Sequence, residues 1–186
     1  MMMRQQRDLF KLMEISMYAA LIVMAIYLIR VPMPSAISRS FVHPGNALVI
    51  LGSLLMGFKR GTLAAMLGLF IFDLTAGYVT SVPFTLLENF IVLLVVAGVH
   101  LLFKRQDTLL PITVVAIVGA VTKIVIIFIK HVATQLALGS TLLAAYSISL
   151  TAMPASLFTG LVTAILVPVL YYPMKKVVTR FHPIGE

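Results

Sequence analysis

Apolar stretches alternate with short polar breaks along the whole chain, and basic residues fall at every second break. Residues 17–29, 47–58, 62–72, 84–103, 112–128 and 142–172 are overwhelmingly apolar. Arg4, Arg7 and Lys11 precede the first of them. Lys59/Arg60, Lys104/Arg105 and Lys175/Lys176/Arg180 punctuate the rest. An apolar helix of about 20 residues crosses the hydrocarbon core, and six such helices with short connections use up the 186 residues. The pattern predicts an all-α, polytopic membrane protein with six transmembrane helices and one integral membrane domain spanning 1–186.

The expected elements follow from the breaks. Residues 1–11 form a polar, basic leader. The first helix covers 12–29 and has no small-residue cleavage site after a short apolar core, so it is expected to stay as a span. Residues 30–45 form the longest loop. Pro32, Pro34 and Pro44 fix φ and remove donors there, so the loop is expected to be ordered, non-helical and long enough for a lid. Helices are expected at 46–58, 62–76, 84–103 and 112–138, with Lys59-Arg60-Gly61 as a tight turn. The stretch 142–172 is too long for one span. Pro154 should break it, with the sixth span starting near Ala155 and a tail at 173–186.

Composition agrees with a membrane setting. The chain is 61% hydrophobic and 11% charged, against about 25% charged in soluble domains, and its mean hydropathy is +1.08. The net charge of +8 is unevenly placed. Ten of the fourteen Lys/Arg fall on one side if the N-terminus is cytoplasmic. Arg30 and Arg39 lie outside, and Lys123 and Lys130 within a span. This is the positive-inside bias. It predicts both termini in the cytoplasm of a multi-pass protein of the cell (plasma) membrane, and it makes lipid rather than nucleic acid the partner of the basic residues.

Polar residues inside spans are costly and default to functional candidates. Asn46 opens the second helix, and Asp73 lies near the outer end of the third. Glu88 and Asn89 sit one to two turns into the fourth. Lys130, His131, Thr134 and Gln135 occupy the outer half of the fifth, and Tyr146, Ser147 and Ser149 follow the last outer turn. They gather at one level, as capture of a small molecule from outside requires. Lys123, Ile127, Lys130 and Thr134 share one face of the fifth helix, and their counter-charges at depth are Glu88 and Asp73. A Glu88–Lys pair can equally be a lock on the bundle, His131 a hydrogen-bonded helix histidine, and Asp73 a local anchor for its turn.

Several chemistries find no support. No phosphate-binding Gly-x-x-x-x-Gly-Lys-Ser/Thr loop is present, so the chain is not expected to hydrolyse ATP alone. With no cysteine and no His-Glu-x-x-His, no metal site or cofactor is expected, and no Gly-x-Ser-x-Gly elbow marks a hydrolase. On the first helix, Ser16, Ala19, Ala20 and Ala25 form a small-residue patch that suits close helix approach, within the bundle or against a partner.

The run His43-Pro-Gly-Asn46, then Leu-Leu-Met-Gly57-Phe-Lys-Arg-Gly61, Asp73-Leu-Thr-Ala-Gly77-Tyr78 and Pro83-Phe-Thr85, resembles the substrate-capture (S) subunits of energy-coupling factor (ECF) vitamin transporters. The likeness is nearest to the riboflavin-type and hydroxymethylpyrimidine/pyridoxine-type branch and covers nearly the whole chain. It implies a non-enzymatic subunit of an ABC-type importer that binds one vitamin at an outer-facing pocket. Its implied partners are a membrane coupling (T) subunit and two ATPase subunits that use ATP and Mg. The family's Ala-x-x-x-Ala docking motif has its nearest matches at Ser16-x-x-x-Ala20 and Ala20-x-x-x-Met24, so Ser16 and Ala20 are the expected docking residues. The expected substrate-binding residues are Asn46, Asp73, Tyr78, Glu88, Asn89, Lys123, Lys130, His131 and Tyr146, with Phe41 and Phe84 as further stacking partners. Hydroxymethylpyrimidine or pyridoxine fits that set, and riboflavin or pantothenate are alternatives. Other classes stay open: a small intramembrane enzyme pairing Glu88 with His131, a secondary transporter or exporter, and a structural subunit.

Overall fold

The structure, a computed structural model, describes residues 2–33 and 41–181. It is a helical bundle with one short hairpin. In chain order come α1 (Met2–Leu28), β1 (Val31–Pro32), β2 (Phe41–Val42), α2 (Gly45–Met56), α3 (Phe58–Thr75), a 3-10 turn (Val79–Ser81), α4 (Val82–Leu102), α5 (Leu109–Ala137), α6 (Leu142–Thr151) and α7 (Met153–Phe181). The chain belongs in a membrane by length and apolarity. The windows Gln5–Leu28, Val79–Leu102, Leu109–Ala137 and Met153–Arg180 are each long and apolar enough to cross one. α3 has 18 residues, α2 has 12 and α6 has 10. At 1.5 Å per residue, α2 and α6 are shorter than the ~30 Å hydrocarbon core.

Three expected boundaries are corrected. The leader 1–11 is not a separate element: from Met2 onward it is the first turns of α1. No glycine or proline interrupts it, and Asp8 and Lys11 lie 3.9 Å apart at a helical i,i+3 spacing. The turn expected at Lys59-Arg60-Gly61 is made instead by Gly57 alone, whose φ of 79° is open to glycine. Lys59 and Arg60 therefore lie in the first turn of α3. The tail expected from 173 remains helical to Phe181, with Pro168 and Pro173 inside α7. The break before the last long helix falls at Ala152, so Pro154 sits in the first turn of α7, where its missing N–H costs least.

Gly61 has a packing role. A Cβ there would stand 2.3 Å from the Gly52 carbonyl oxygen, so α2 and α3 touch backbone to backbone. Gly68 does the same against α1, where its Cβ would meet the Ala19 carbonyl at 2.9 Å. Small residues at a crossing replace the hydrophobic drive that lipid does not supply. The core that results joins Ile22 and Ile26 of α1 to Leu51 of α2, Leu69 of α3, Leu93 of α4, Val115 of α5 and Val167 of α7. The Tyr18 hydroxyl donates to the Leu48 carbonyl at 2.8 Å, tying α1 to α2.

The long loop is closed at its base by β1 and β2, which pair antiparallel with Val31 opposite Val42 and Pro32 opposite Phe41. The Arg30 guanidinium lies 5.1 Å over the Phe41 ring. The expected lid tip, residues 34–40 with Arg39, lies outside the described residues. At the opposite, basic end, Arg60 pairs with Glu14 at 2.9 Å. There Asp107 also accepts hydrogen bonds from Tyr171 and Lys175 of α7.

Candidate ligand-binding site

A cavity of about 270 Å³ lies between α2, α3, α4, α5 and α7, under the β2 end of the hairpin. Helical periodicity explains how α5 faces it. Gly119, Lys123, Ile127 and Lys130 recur at three- and four-residue intervals and all line the wall. Glu88 of α4 meets both lysines: Lys123 Nζ is 2.8 Å from one carboxylate oxygen, and Lys130 Nζ is 2.5 Å from the other. The side chains of Glu88 and Lys123 are 8% and 11% exposed, whereas Lys130 is 33% exposed. Lys123 is thus the deep partner and Lys130 the one nearest solvent.

Asp73 is placed differently. It is buried at the end of α3, and its Oδ2 has no hydrogen-bond partner among the described residues. The Thr85 side chain stands beside the carboxylate. Because Glu88 is engaged by two ammonium groups, Asp73 offers the acceptor a ligand can use. Asn89, also buried, donates one amide N–H to the Thr85 carbonyl at 2.7 Å. The Asn46 side chain joins the same wall. Asp73 and Glu88 balance Lys123 and Lys130, so the charged side chains lining the cavity sum to zero. That favours a ligand without net charge, because an ion would enter with no counter-charge.

The upper wall is aromatic. Phe41 stands 6.2 Å from Phe72 and 6.3 Å from Tyr78 between ring centroids, and Phe72 and Tyr78 stack at 6.3 Å with 29° between planes. His43, in the turn ahead of α2, has its Nδ1 accepting from the Gly45 N–H at 3.1 Å. Burial, reinforced by the Lys123 ammonium, pushes the imidazole down to about 4. The ring is therefore neutral near pH 7 and carries its proton on Nε2. His131 also lines the cavity, and its buried Nδ1 has no partner among the described residues.

The model of the ECF-type riboflavin transporter S component family matches residues 8–176. The chain belongs to that family. It is an ECF S component, a multi-pass membrane protein and the substrate-binding subunit of a vitamin transporter. Comparison with curated proteins and with solved structures gave no match.

In this S component, eight of the nine expected substrate-binding residues line the one cavity: Asn46, Asp73, Tyr78, Glu88, Asn89, Lys123, Lys130 and His131. Tyr146 does not. It is half exposed on α6, with its ring edge-on to Phe128 at 5.4 Å. Phe84 likewise points outward, 55% exposed. The sequence reading missed His43, Thr85 and a hydroxyl-bearing face of α7, where Ser156, Thr159, Gly160 and Thr163 line the deep wall. Their i, i+3, i+4, i+7 spacing was the available signal, hidden in a stretch scored only for apolarity. Among the described residues no group of His, Asp and Glu gathers as a metal site would need. Ser16 and Ala20 lie on the exposed face of α1, while Ala19 is buried between them against α3.

Proposed function

We propose that this S component captures an uncharged, hydroxylated heteroaromatic vitamin or precursor of single-ring size, such as hydroxymethylpyrimidine or pyridoxine, from outside the cell. The observation that carries the reading is the buried Asp73 carboxylate, whose Oδ2 has no partner among the described residues, in a cavity whose charged side chains sum to zero. A ring N–H, amine or hydroxymethyl group supplies the donor it lacks. The aromatic trio Phe41, Phe72 and Tyr78 offers a stacking wall, and the α7 hydroxyls offer partners for hydroxyl substituents. At about 270 Å³ the cavity sits at the small end of ligand sites, which run to about 300–1,000 Å³. Riboflavin is the second reading. The family's name favours it, and it requires the outer wall to open around a larger ring system.

The family supports a wider reading of the assembly. The chain crosses the plasma membrane six times with both termini in the cytoplasm, joins a T subunit and two ATPases, and leaves ATP and Mg to those partners.

Calorimetric titration of the purified protein with hydroxymethylpyrimidine, pyridoxine and riboflavin is the test. Asp73→Asn is expected to weaken the bound member by roughly ten- to a hundredfold, as loss of a buried charge-assisted hydrogen bond costs about 1.5–3 kcal/mol. Full affinity in D73N would remove Asp73 from the site, and binding of none of the three would sink the substrate class.

A further inference from the structure

A second, larger concavity of about 1540 Å³ opens at the basic end of the bundle, between the start of α1, the α2–α3 turn and the ends of α4 and α7. Its cations include Lys11, Lys59 and Arg105, and its floor is apolar, with Leu54, Phe58 and Leu94. Lys59 and Arg105 make no ion pair among the described residues. The groove-lining His100 has a buried Nε2 with no partner among them.

The turn that delivers Arg105 is unusual. Lys104 and Arg105 have φ of 52° and 54°, consecutive left-handed residues without a glycine. Side chains other than glycine avoid this region, and such strain persists where the surroundings over-determine it and collects at functional positions. Here Arg105 N–H donates to the His100 carbonyl at 2.9 Å, and Asp107, two residues on, is held by Tyr171 and Lys175. The Tyr172 hydroxyl also donates to the Asp107 carbonyl at 3.1 Å. The fold thus fixes a cation in a conformation that a glycine would adopt more easily.

We propose that this groove is a binding site for the phosphate headgroup of an anionic phospholipid. Lys59 and Arg105 hold the phosphate, His100 Nε2 supplies a further polar contact, and the apolar floor takes the start of the acyl chains. Basic pockets at the membrane boundary between helices bind anionic headgroups on the same physical grounds. A soluble phosphate has no use for the apolar floor, which is why the lipid is the chosen source.

The test is native mass spectrometry of the full chain in detergent with phosphatidylglycerol or phosphatidylcholine of matched chains, and with inorganic phosphate as competitor. Phosphatidylglycerol is expected to be retained roughly tenfold over phosphatidylcholine, the scale of one or two surface cations against an anionic lipid. Lys59→Gln with Arg105→Gln should abolish that preference. Arg105→Gly is the second variant. It relieves the backbone strain, so it should fold at least as well while still losing preference. Equal retention of both lipids, or a preference untouched by both variants, overturns the proposal. Phosphate competing as well as lipid would assign the groove to a soluble anion. No lipid preference, with the double variant failing to assemble with the coupling subunit, would assign it to a protein. Either result also overturns it. Titration of the outer cavity is independent of all these outcomes.

Discussion

Glu88 holds two lysines, so removing it differs from removing either partner. Glu88→Gln strands Lys123 at depth with no carboxylate in contact and frees Lys130 as well. Lys123→Met leaves Glu88 still paired with Lys130 at 2.5 Å. Loss of one partner from a buried pair costs about 3–5 kcal/mol because the other charge is left uncompensated. E88Q is therefore expected to approach that cost, and K123M to fall well below it. Thermal unfolding of the two variants in detergent checks the order, and equal losses would mean that Lys130 contributes nothing. The residues of this cluster were legible in the sequence because charges within apolar helices stand out. Which carboxylate remained for a ligand was not. Asp73 and Glu88 look alike in the chain, and only the packing of α4 against α5 shows that the lysines belong to Glu88. Tyr146 was misread for a related reason: its depth matched the site, but α6 is a short separate helix that turns the ring toward Phe128 instead. Hydropathy gives depth and says nothing about azimuth on an unplaced helix.

The helices were legible as apolar stretches, and their ends were not. Hydropathy changes sign where lipid ends, whereas a helix ends where its backbone loses its partners. Thus the basic leader continues into α1, Lys59 and Arg60 start α3, and α7 runs on past Pro173. The extension of α7 is fastened by Asp107, which lies in the turn between α4 and α5, outside the membrane-spanning helices. Burial raises the pKa of this carboxyl, but the hydrogen bonds from Lys175 and Tyr171, with the Lys175 charge, outweigh that and hold it below the ordinary range. A lowered folded pKa stabilises the fold fully above the unfolded value of about 3.9, and the contribution is lost as pH falls through the folded value. Asp107→Asn should therefore lower the thermal midpoint at pH 7 and flatten its decline below about pH 4. Superimposable midpoint profiles of D107N and the parent between pH 7 and 3 would show that the fastening carries no stability.

At the scale of the molecule, capture and delivery are separate demands, and the fold puts them on separate surfaces. The cavity is enclosed by α2, α3, α4, α5 and α7, with α1 contributing Ile26 to its lining. The opposite face of α1 is exposed, and there Ser16 and Ala20 form a small-residue strip flanked by Met13, Met17 and Met24. Ala19 has already spent its smallness on Gly68 of α3, so intramolecular packing does not explain the smallness of its two neighbours. A membrane partner that approaches α1 closely does explain it. Ala20→Trp adds bulk to that strip without reaching the cavity or the core. Ligand affinity is expected to stay within about twofold of the parent, under 1 kcal/mol on the affinity scale. Uptake by cells that supply the T subunit and the ATPases is expected to fall by at least roughly tenfold, or about 1.4 kcal/mol of assembly free energy. Measuring titration and uptake on the same variant separates the two surfaces. Uptake that survives the tryptophan would move docking to another helix face, while affinity lost with it would mean that α1 transmits strain to Ile26 and the two surfaces are coupled.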